Sequence, residues 1–198
     1  MSDRALAWES LAGDIRSCAA CAALVAERSN VVVGHRPAEG ARVMLVGEAP
    51  GANEDETGLP FVGKAGQLLD ELLCEAGMPR STVAVSNVLK CRPPKNRKPA
   101  RAEVANCRGW LTAQIDIVDP AFVVALGGTA VEWFFGVGAK IGVLRGRFHD
   151  VAGRRVLATY HPSAAIRFGP RGMPRAALRD DLALVARAAG ALPRGEAL

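Results

Sequence analysis

Aromatic residues are scarce in this sequence: Phe, Trp and Tyr together make up 5% of its 198 residues. Hydrophobic residues as a whole nevertheless account for 49% of the chain, which is too large a share for a disordered protein. The core must therefore be built mainly from Ala, Val and Leu. A chain of this length has the size of one ordinary domain, and we expect residues 1–198 to form a single domain.

Long apolar segments are also missing. The longest candidate, residues 121–131, is too short to cross a bilayer and contains a Gly-Gly pair. Residues 1–16 mix acidic and basic side chains, unlike the apolar centre of a secretory signal. These absences predict a cytoplasmic protein with no membrane partner, and we expect it to be a monomer.

The charge balance is modestly positive. There are 25 Lys and Arg residues against 20 Asp and Glu residues, a formal net charge of +5, and most of the cations are arginines. Arginine suits phosphate because its planar fork donates two hydrogen bonds at once. The excess is compatible with nucleic-acid binding but does not by itself predict it.

Apolar and amphipathic segments alternate along the chain. Buried parallel strands are predicted over residues 42–46, 82–88, 121–126 and 155–159. Helices are predicted over residues 4–27, 62–77, 101–117, 129–135 and 173–189. The alternation predicts an α/β fold, a three-layer sandwich around a mostly parallel four-stranded central sheet.

Three unusual segments follow predicted strands. They cover residues 47–66, 87–97 and 161–171. In sheets of this type, ligands bind beyond the carboxyl ends of the strands. We therefore expect these segments to contribute to one site.

The sequence has five cysteines, and disulfides are disfavoured in a cytoplasmic protein. Cys18 and Cys21 form a C-x-x-C pair, and Cys91 and Cys107 flank a basic loop and the start of a helix. Four thiolates in two pairs suit either tetrahedral zinc or a four-iron cluster, and their spacing alone does not decide between them. Free cysteines are also often simply buried. For Cys74, on the expected apolar side of a helix, we predict burial.

The segment 47–51 directly follows a predicted strand, so its backbone amides can face a ligand. Neither of the glycine-rich nucleotide-binding patterns, G-x-G-x-x-G and G-x-x-x-x-G-K-[ST], is present there. Three carboxylates follow within residues 53–56, which would suit a solvated loop or a helix cap. Neither a solvated loop nor a helix cap explains Phe61, an aromatic residue placed on a loop just after these carboxylates.

Three stretches of the sequence, in this order, resemble the family 4 uracil-DNA glycosylases. They are GEAPGANEDETGLPFVGKAGQLLDELL, NVLKCRPPKNRKP and HPSAAIR. Cys18, Cys21, Cys91 and Cys107 fall where that family places the ligands of its [4Fe–4S] cluster. The resemblance implies a monofunctional DNA-repair enzyme that flips uracil out of DNA and hydrolyses its N-glycosidic bond, leaving an abasic site.

The resemblance also implies how uracil would be bound. Phe61 would stack on the flipped base. The Asn87 amide would donate to uracil O4 and accept from N3–H, and because cytosine reverses both groups, a fixed Asn can reject it. His161 would approach O2, where negative charge develops as the base leaves. The backbone of Glu48, Ala49 and Pro50 would line the same pocket.

The residue that positions the attacking water is the open question. Family 1 glycosylases place an Asp in the first motif for this purpose, and the matching position here is Ala49. Glu54 is our first choice, for the water or for the sugar cation, and Glu48 is the second choice for the water. A rival role for Glu54 is a steric wall against the methyl group of thymine.

The segment around Cys91 is rich in cations and lacks acids. We expect phosphate contacts from Lys90, Arg92, Lys95, Arg97, Lys98 and Arg101, and from Arg167 at the end of the last motif. Residues 163–170 would enter the minor groove, with Ile166, Arg167 or Phe168 filling the vacated stack. The substrate would be uracil-containing DNA, single- or double-stranded, and the cluster would brace this surface.

Two alternatives remain at this point. One is a relative that traps uracil-DNA covalently, but the His-containing basic insertion typical of such proteins is absent from residues 94–105. The other is a non-catalytic iron–sulfur protein that binds single-stranded DNA. The joint presence of Phe61, Asn87 and His161 argues against it.

Overall fold

The fold is built around a central sheet, seen in a computed structural model that describes residues 2–37 and 40–191. Within those residues the sheet has five strands, β1 Val43–Gly47, β2 Ala84–Asn87, β3 Phe122–Leu126, β4 Phe148–Val151 and β5 Arg154–Thr159. Their order across the sheet is β2-β1-β3-β5-β4. β2, β1, β3 and β5 run parallel, and β4 is antiparallel to β5. The α/β class and the mostly parallel sheet are confirmed.

The predicted number of strands is wrong by one. The four predicted strands form the parallel part of the sheet, and β4 was missed. β4 is an edge strand with half-buried and exposed residues, so it lacks the continuous apolar run of a central strand. A tight turn at Ala152 and Gly153, both with positive φ, joins it to β5.

Helices cover both faces of the sheet. They are α1 Asp3–Ser17, α2 Ala22–Val25, α3 Ala52–Thr57, α4 Lys64–Glu75, α5 Arg101–Val118, α6 Gly128–Phe135, α7 Ile141–Leu144, α8 Pro162–Phe168 and α9 Met173–Ala191. The predicted helix over 4–27 is interrupted, because Cys18 ends α1 with an extended backbone and Cys21 precedes α2. The C-x-x-C pair therefore lies in a break between helices.

Two apolar cores lie on opposite sides of the sheet, as the alternation of β1 side chains requires. Met44 and Val46 pack into a core with α1, α5 and α6. Val43 and Leu45 pack into the other core, with α4 and α9. This arrangement is the predicted three-layer sandwich. Within the described ranges, every helix is too short or too polar to traverse a bilayer.

The prediction for Cys74 is wrong, because its side chain is exposed. The buried face of α4 is formed by Leu68, Leu69, Leu72 and Leu73. The next residue on that face is Ala76, so Cys74 points away from the core.

Candidate active site

A cavity of about 300 Å³ opens at the carboxyl ends of β1, β3 and β5. Glu48 and Ala49 line it directly after β1, and His161 and Arg167 line it after β5. The buried Pro50 follows Ala49 in the same loop. This is the edge of the sheet where the sequence places a ligand.

Phe61, Asn87 and His161 come together beside this cavity. Gly47 pairs with Asn87 in the sheet, and a Cβ at Gly47 would collide with Asn87 Oδ1 and with the Phe61 ring. The Phe61 and His161 rings have centroids 5.6 Å apart at an angle of 31°. Residues from three separate segments of the chain thus meet at one point, and the glycine is what lets them approach.

Asn87 carries an unpaired polar atom. The residue is 3% exposed, and its Oδ1 has no hydrogen-bond partner among the residues that the structure describes. A buried acceptor without a partner costs roughly 1–3 kcal/mol, so such atoms are rare, and a functional role is one of the explanations for them. Oδ1 of Asn87 is therefore a candidate acceptor for a bound molecule.

His161 is held as a neutral ring with a defined tautomer. It caps α8: its Nδ1 accepts from the backbone N–H of Ser163 at 3.2 Å and lies 2.8 Å from the Ser163 hydroxyl oxygen. The side chain is half-buried by surface area, but dense packing around it lowers its pKa from 6.5 to about 4. The charge of Glu54 opposes this effect only in part. At neutral pH the proton therefore resides on Nε2, which is available as a donor.

The two candidate carboxylates have different surroundings. Glu48 lines the cavity, and the Thr129 hydroxyl donates to its Oε2. Glu54 is engaged by backbone amides: its Oε1 accepts from Val62 at 2.9 Å and from Gly63 at 2.8 Å, and its Oε2 accepts from Gly51 at 3.0 Å. Glu54 therefore holds the backbone directly after Phe61 and ties it to the start of α3 at Gly51, and Glu48 faces the cavity.

The four candidate metal ligands lie in one region of the protein. Cys18 and Cys21 occupy the break between α1 and α2, Cys91 follows β2, and Cys107 lies on α5. Arg28 joins Cys18 to Cys91, because its Nη2 donates to the Cys18 carbonyl at 2.9 Å and its Nη1 donates to Cys91 Sγ at 3.0 Å. Asn106, the neighbour of Cys107 on α5, donates to Cys21 Sγ at 3.3 Å. The sequence-distant pairs are thus neighbours in space.

Nitrogen donors surround these sulfurs. Arg28 Nη1 donates to Cys91 Sγ at 3.0 Å, Asn106 Nδ2 donates to Cys21 Sγ at 3.3 Å, and the Lys90 backbone N–H donates to Cys107. Burial raises the pKa of Cys91 and raises that of Cys107 to about 11. Thiolates at these depths therefore need a cation beside them, and N–H donors suit sulfur in its anionic form. The donor set fits a metal group bound by cysteine thiolates.

Comparisons with known proteins identify the family of this chain. Residues 33–183 match the model of the Uracil DNA glycosylase superfamily. The chain is 44% identical over 169 residues to a type-4 uracil-DNA glycosylase of Thermotoga maritima, covering 84% of this chain and 86% of that protein. The chain belongs to the uracil-DNA glycosylase superfamily. A type-4 uracil-DNA glycosylase of Pyrobaculum aerophilum is 45% identical over 164 residues, covering 77% of this chain and 81% of that protein.

A relative of another type is also similar to this superfamily member. A type-5 uracil-DNA glycosylase of Pyrobaculum aerophilum is 36% identical over 178 residues, covering 74% of this chain and 78% of that protein. The identity is lower than for the type-4 proteins above. The family resemblance predicted from the three motifs is confirmed.

One cation predicted to contact DNA is misplaced. Lys90 is 1% exposed, and its Nζ donates to Ser86 Oγ at 2.7 Å, to the Asn87 carbonyl at 2.6 Å and to Gln114 Oε1 at 2.6 Å. Burial lowers its pKa to about 7. The prediction that Lys90 contacts phosphate is therefore wrong: in this superfamily member it organises the end of β2 from inside. In the sequence, Lys90 stands next to Cys91 in a basic segment, and nothing in that pattern indicates that its side chain is buried.

The remaining predicted DNA contacts lie on the surface or at its edge. Lys95 and Arg101 are exposed, and Arg92 is half-buried and donates to Asn96 Oδ1 at 2.7 Å. Two others meet acids from outside the basic loop: Arg97 is paired with Glu103 at 2.6 Å, and Lys98 lies 3.6 Å from Glu132. Ile166 and Phe168 are 45% and 65% exposed on α8, beside the cavity.

Thr129 and Ser163 were missed by the sequence analysis, although both touch a candidate catalytic side chain. Thr129 follows the Gly-Gly pair at the end of β3, and the rule that placed ligands beyond strand ends applies there too. Ser163 lies two residues after His161, and its backbone N–H donates to the His161 side chain that caps α8. A cap residue followed by proline is typical of a helix start, so His161-Pro162 was the signal that the sequence offered.

Proposed function

We propose that this protein excises uracil from DNA in base-excision repair by hydrolysing the bond between uracil N1 and the sugar. The membership of the chain in the superfamily and the names of its type-4 relatives support this activity. The observation that connects this activity with a site is the buried, unpaired Oδ1 of Asn87 next to Phe61 and His161. That combination offers a flat partner, an acceptor and a donor to a flipped base.

Base recognition is the first step. A nucleotide rotated out of the stack would place its uracil against Phe61. The N3–H of uracil would donate to Asn87 Oδ1, and the amide NH2 of the same residue would donate to O4. Cytosine offers an unprotonated N3 and an amino group at these positions, so it would leave both groups of Asn87 mispaired. Ala49 and Pro50 would complete the wall from the loop after β1.

The departing base carries the negative charge that catalysis must stabilise. Neutral His161 would donate its Nε2 proton in a hydrogen bond to uracil O2, while Ser163 keeps Nδ1 free of a proton. Since the donor is already in place and poorly solvated, it needs no reorganisation as the charge develops. The neutral state matters because an imidazolium at this depth is penalised by burial.

For the attacking water we propose Glu48 in place of Glu54. Its carboxylate lines the cavity and is oriented by Thr129, whereas both oxygens of Glu54 are occupied by backbone amides. Glu54 would contribute its negative charge, which is felt at His161 and would favour an oxocarbenium-like sugar. Its second task would be to hold the Phe61 loop.

We further propose that Cys18, Cys21, Cys91 and Cys107 hold a [4Fe–4S] cluster. The support is geometric: Arg28 and Asn106 connect the two cysteine pairs, and their side chains donate to the sulfurs of Cys91 and Cys21. Within residues 2–37 and 40–191, no group of three His, Cys, Asp or Glu side chains is arranged to hold a single metal ion. When bound, the cluster would supply the positive charge that buried thiolates need and would cross-link the segments that carry them. These segments border the basic loop, so the cysteines would brace the DNA-binding face.

The DNA would lie across the basic loop and α8. Phosphate contacts would come from Arg92, Lys95, Arg97, Lys98 and Arg167, with Lys90 omitted. The exposed Ile166 and Phe168 stand beside the cavity, where an apolar side chain could fill the space left by the flipped base. The protein would act as a cytoplasmic monomer on uracil in single- or double-stranded DNA.

A uracil-containing oligonucleotide tests the activity. The protein is incubated with excess substrate, the products are treated with alkali, and they are resolved under denaturing conditions. Strand breakage that exceeds the amount of protein supports the proposal. A retarded band that survives denaturation indicates a covalent trap, and intact DNA indicates a binding protein. An oligonucleotide with thymine in place of uracil is the matched control.

A further inference from the structure

The backbone of Phe61 adopts a conformation that its side chain disfavours. Its φ is 53°, in the left-handed region, where a bulky residue is a genuine outlier. The ring is nevertheless buried at 6% exposure and placed against His161. Strain of this kind persists only where the surroundings hold it, so the contacts to this loop are of interest.

Glu54 holds this loop through the backbone N–H groups of Val62 and Gly63. Arg80, in the turn before β2, holds it through two backbone carbonyls. Its Nη1 donates to the Phe61 carbonyl at 3.3 Å, and its Nη2 donates to the Pro60 carbonyl. The same Nη1 lies 3.1 Å from Asp70 Oδ1 on α4. Two consecutive carbonyls thus meet one planar guanidinium whose orientation is set by a carboxylate.

We propose that Arg80 is a positioning residue for base recognition. Its guanidinium, oriented by Asp70, keeps the Pro60–Phe61 backbone in its left-handed turn and so holds the Phe61 ring where uracil stacks. The inference rests on the proposed role of Phe61. It does not require Arg80 to touch substrate.

A simpler explanation is that Arg80 serves only its ion pair with Asp70. The side chains of Arg80 and Asp70 are 25% and 44% exposed, and pairs this open to solvent contribute little. The two carbonyls, in contrast, belong to a strained loop with little room to rearrange. A Cβ at Gly66 would overlap the Phe61 carbonyl, so α4 packs directly against this turn. The contacts to the carbonyls are therefore the ones that bear on the site.

A double-mutant cycle tests the inference. Arg80→Ala, Phe61→Ala and the double variant are compared in single-turnover excision of uracil and in inhibition by free uracil. We expect Arg80→Ala to lower kcat/KM by about 10- to 100-fold, as for loss of charge-assisted hydrogen bonds. In the Phe61→Ala background the same change should cost about twofold or less, because the residue acts through that ring. Inhibition by free uracil should weaken in parallel.

Two further variants keep the test decisive. Arg179→Ala removes an arginine that is also ion-paired with α4, at Glu75, and should leave kcat/KM within about twofold of the wild type. Arg80→Lys keeps the charge but not the planar fork, and it should restore part of the lost activity. If Arg80→Ala does not fold, Arg80→Lys takes its place in the cycle.

The possible failures are distinguishable. Equal losses in both backgrounds, or an unchanged inhibition by free uracil, would overturn the positioning role of Arg80 while leaving the proposed function intact. A wild-type protein that releases no uracil would overturn the proposed function itself. A Phe61→Ala variant as active as the wild type would refute the stacking role and the inference with it.

Discussion

Replacing Asn87 by leucine should stabilise the folded protein while removing base recognition. Oδ1 of Asn87 is buried and has no partner in residues 2–37 and 40–191. The folded protein therefore carries a desolvation penalty of roughly 1–3 kcal/mol, which an apolar side chain of similar size removes. After allowance for imperfect packing we expect a gain of about 1–2 kcal/mol, or a Tm higher by about 2–6 °C for a chain of this size.

The same substitution should be severe for activity. Uracil N3–H and O4 would enter a buried pocket and find no partner there. Sites built to bond such groups discriminate strongly when one side of the bond is missing, so kcat/KM should fall by about 10³-fold or more. Stability and activity would thus move in opposite directions.

Gln114→Leu is the matched control, because Gln114 is also a buried amide, but its Oε1 and its Nε2 both have hydrogen-bond partners. Its Oε1 accepts from Lys90 Nζ at 2.6 Å and from Ser86 Oγ at 2.8 Å, and its Nε2 donates to the Val33 carbonyl at 2.7 Å. Its loss leaves a buried ammonium short of a partner, so we expect a destabilisation of about 3–5 kcal/mol. Denaturant unfolding and single-turnover excision measure both variants. If Asn87→Leu destabilised as much as Gln114→Leu, the reasoning from the unpaired oxygen would be refuted.

Four other predictions follow from the site. Because burial lowers the pKa of His161 to about 4, the ring stays neutral as the pH falls through 6.5, and kcat/KM should lose its His161-dependent part only near pH 4. A fall in kcat/KM with a midpoint at pH 6.5 that disappears in His161→Asn would contradict this. Glu48→Gln should lower kcat by about 100-fold with little change in KM, and an unchanged kcat would remove Glu48 from the water site. Cys107→Ala should give insoluble or colourless protein, whereas a folded, active and colourless variant would contradict a structural cluster. Lys95→Ala should reduce the slope of the logarithm of the DNA-binding constant against the logarithm of salt concentration by about one. Lys90→Met should leave that slope unchanged and lower the free energy of unfolding. A smaller slope in Lys90→Met would show that Lys90 does contact phosphate.

The parallel core of the fold was predictable because each of its strands contains a buried, mainly apolar run. β1, β2 and β3 are buried along their whole length, and β5 is buried over its last four residues. Strand β4 left none, since its residues are half-buried or exposed and its hairpin turn uses Ala152 in a positive-φ conformation. The break at Cys18 was hidden because the sequence around it has helical composition, with neither glycine nor proline over residues 14–27.

The candidate site, too, could be predicted only in part. Phe61, Asn87 and His161 could be named from motifs, and the sheet rule placed them at one edge. The partners that hold them could not be named, because they depend on distances between distant segments. Glu54 reads as a catalytic carboxylate in the sequence, yet its oxygens meet three backbone amides in the fold. Lys90 reads as a phosphate contact, yet it is enclosed by Ser86, Asn87 and Gln114.

Release of free uracil is the most direct test of the proposed function. Wild-type protein is mixed with an excess of oligonucleotide containing one dU, and the liberated base is measured by chromatography alongside the abasic strand. We predict several equivalents of uracil per protein, one abasic site for each uracil released, and no base from matched dC or dT oligonucleotides. Release of no uracil, or of a single equivalent that leaves the protein joined to DNA, would contradict it.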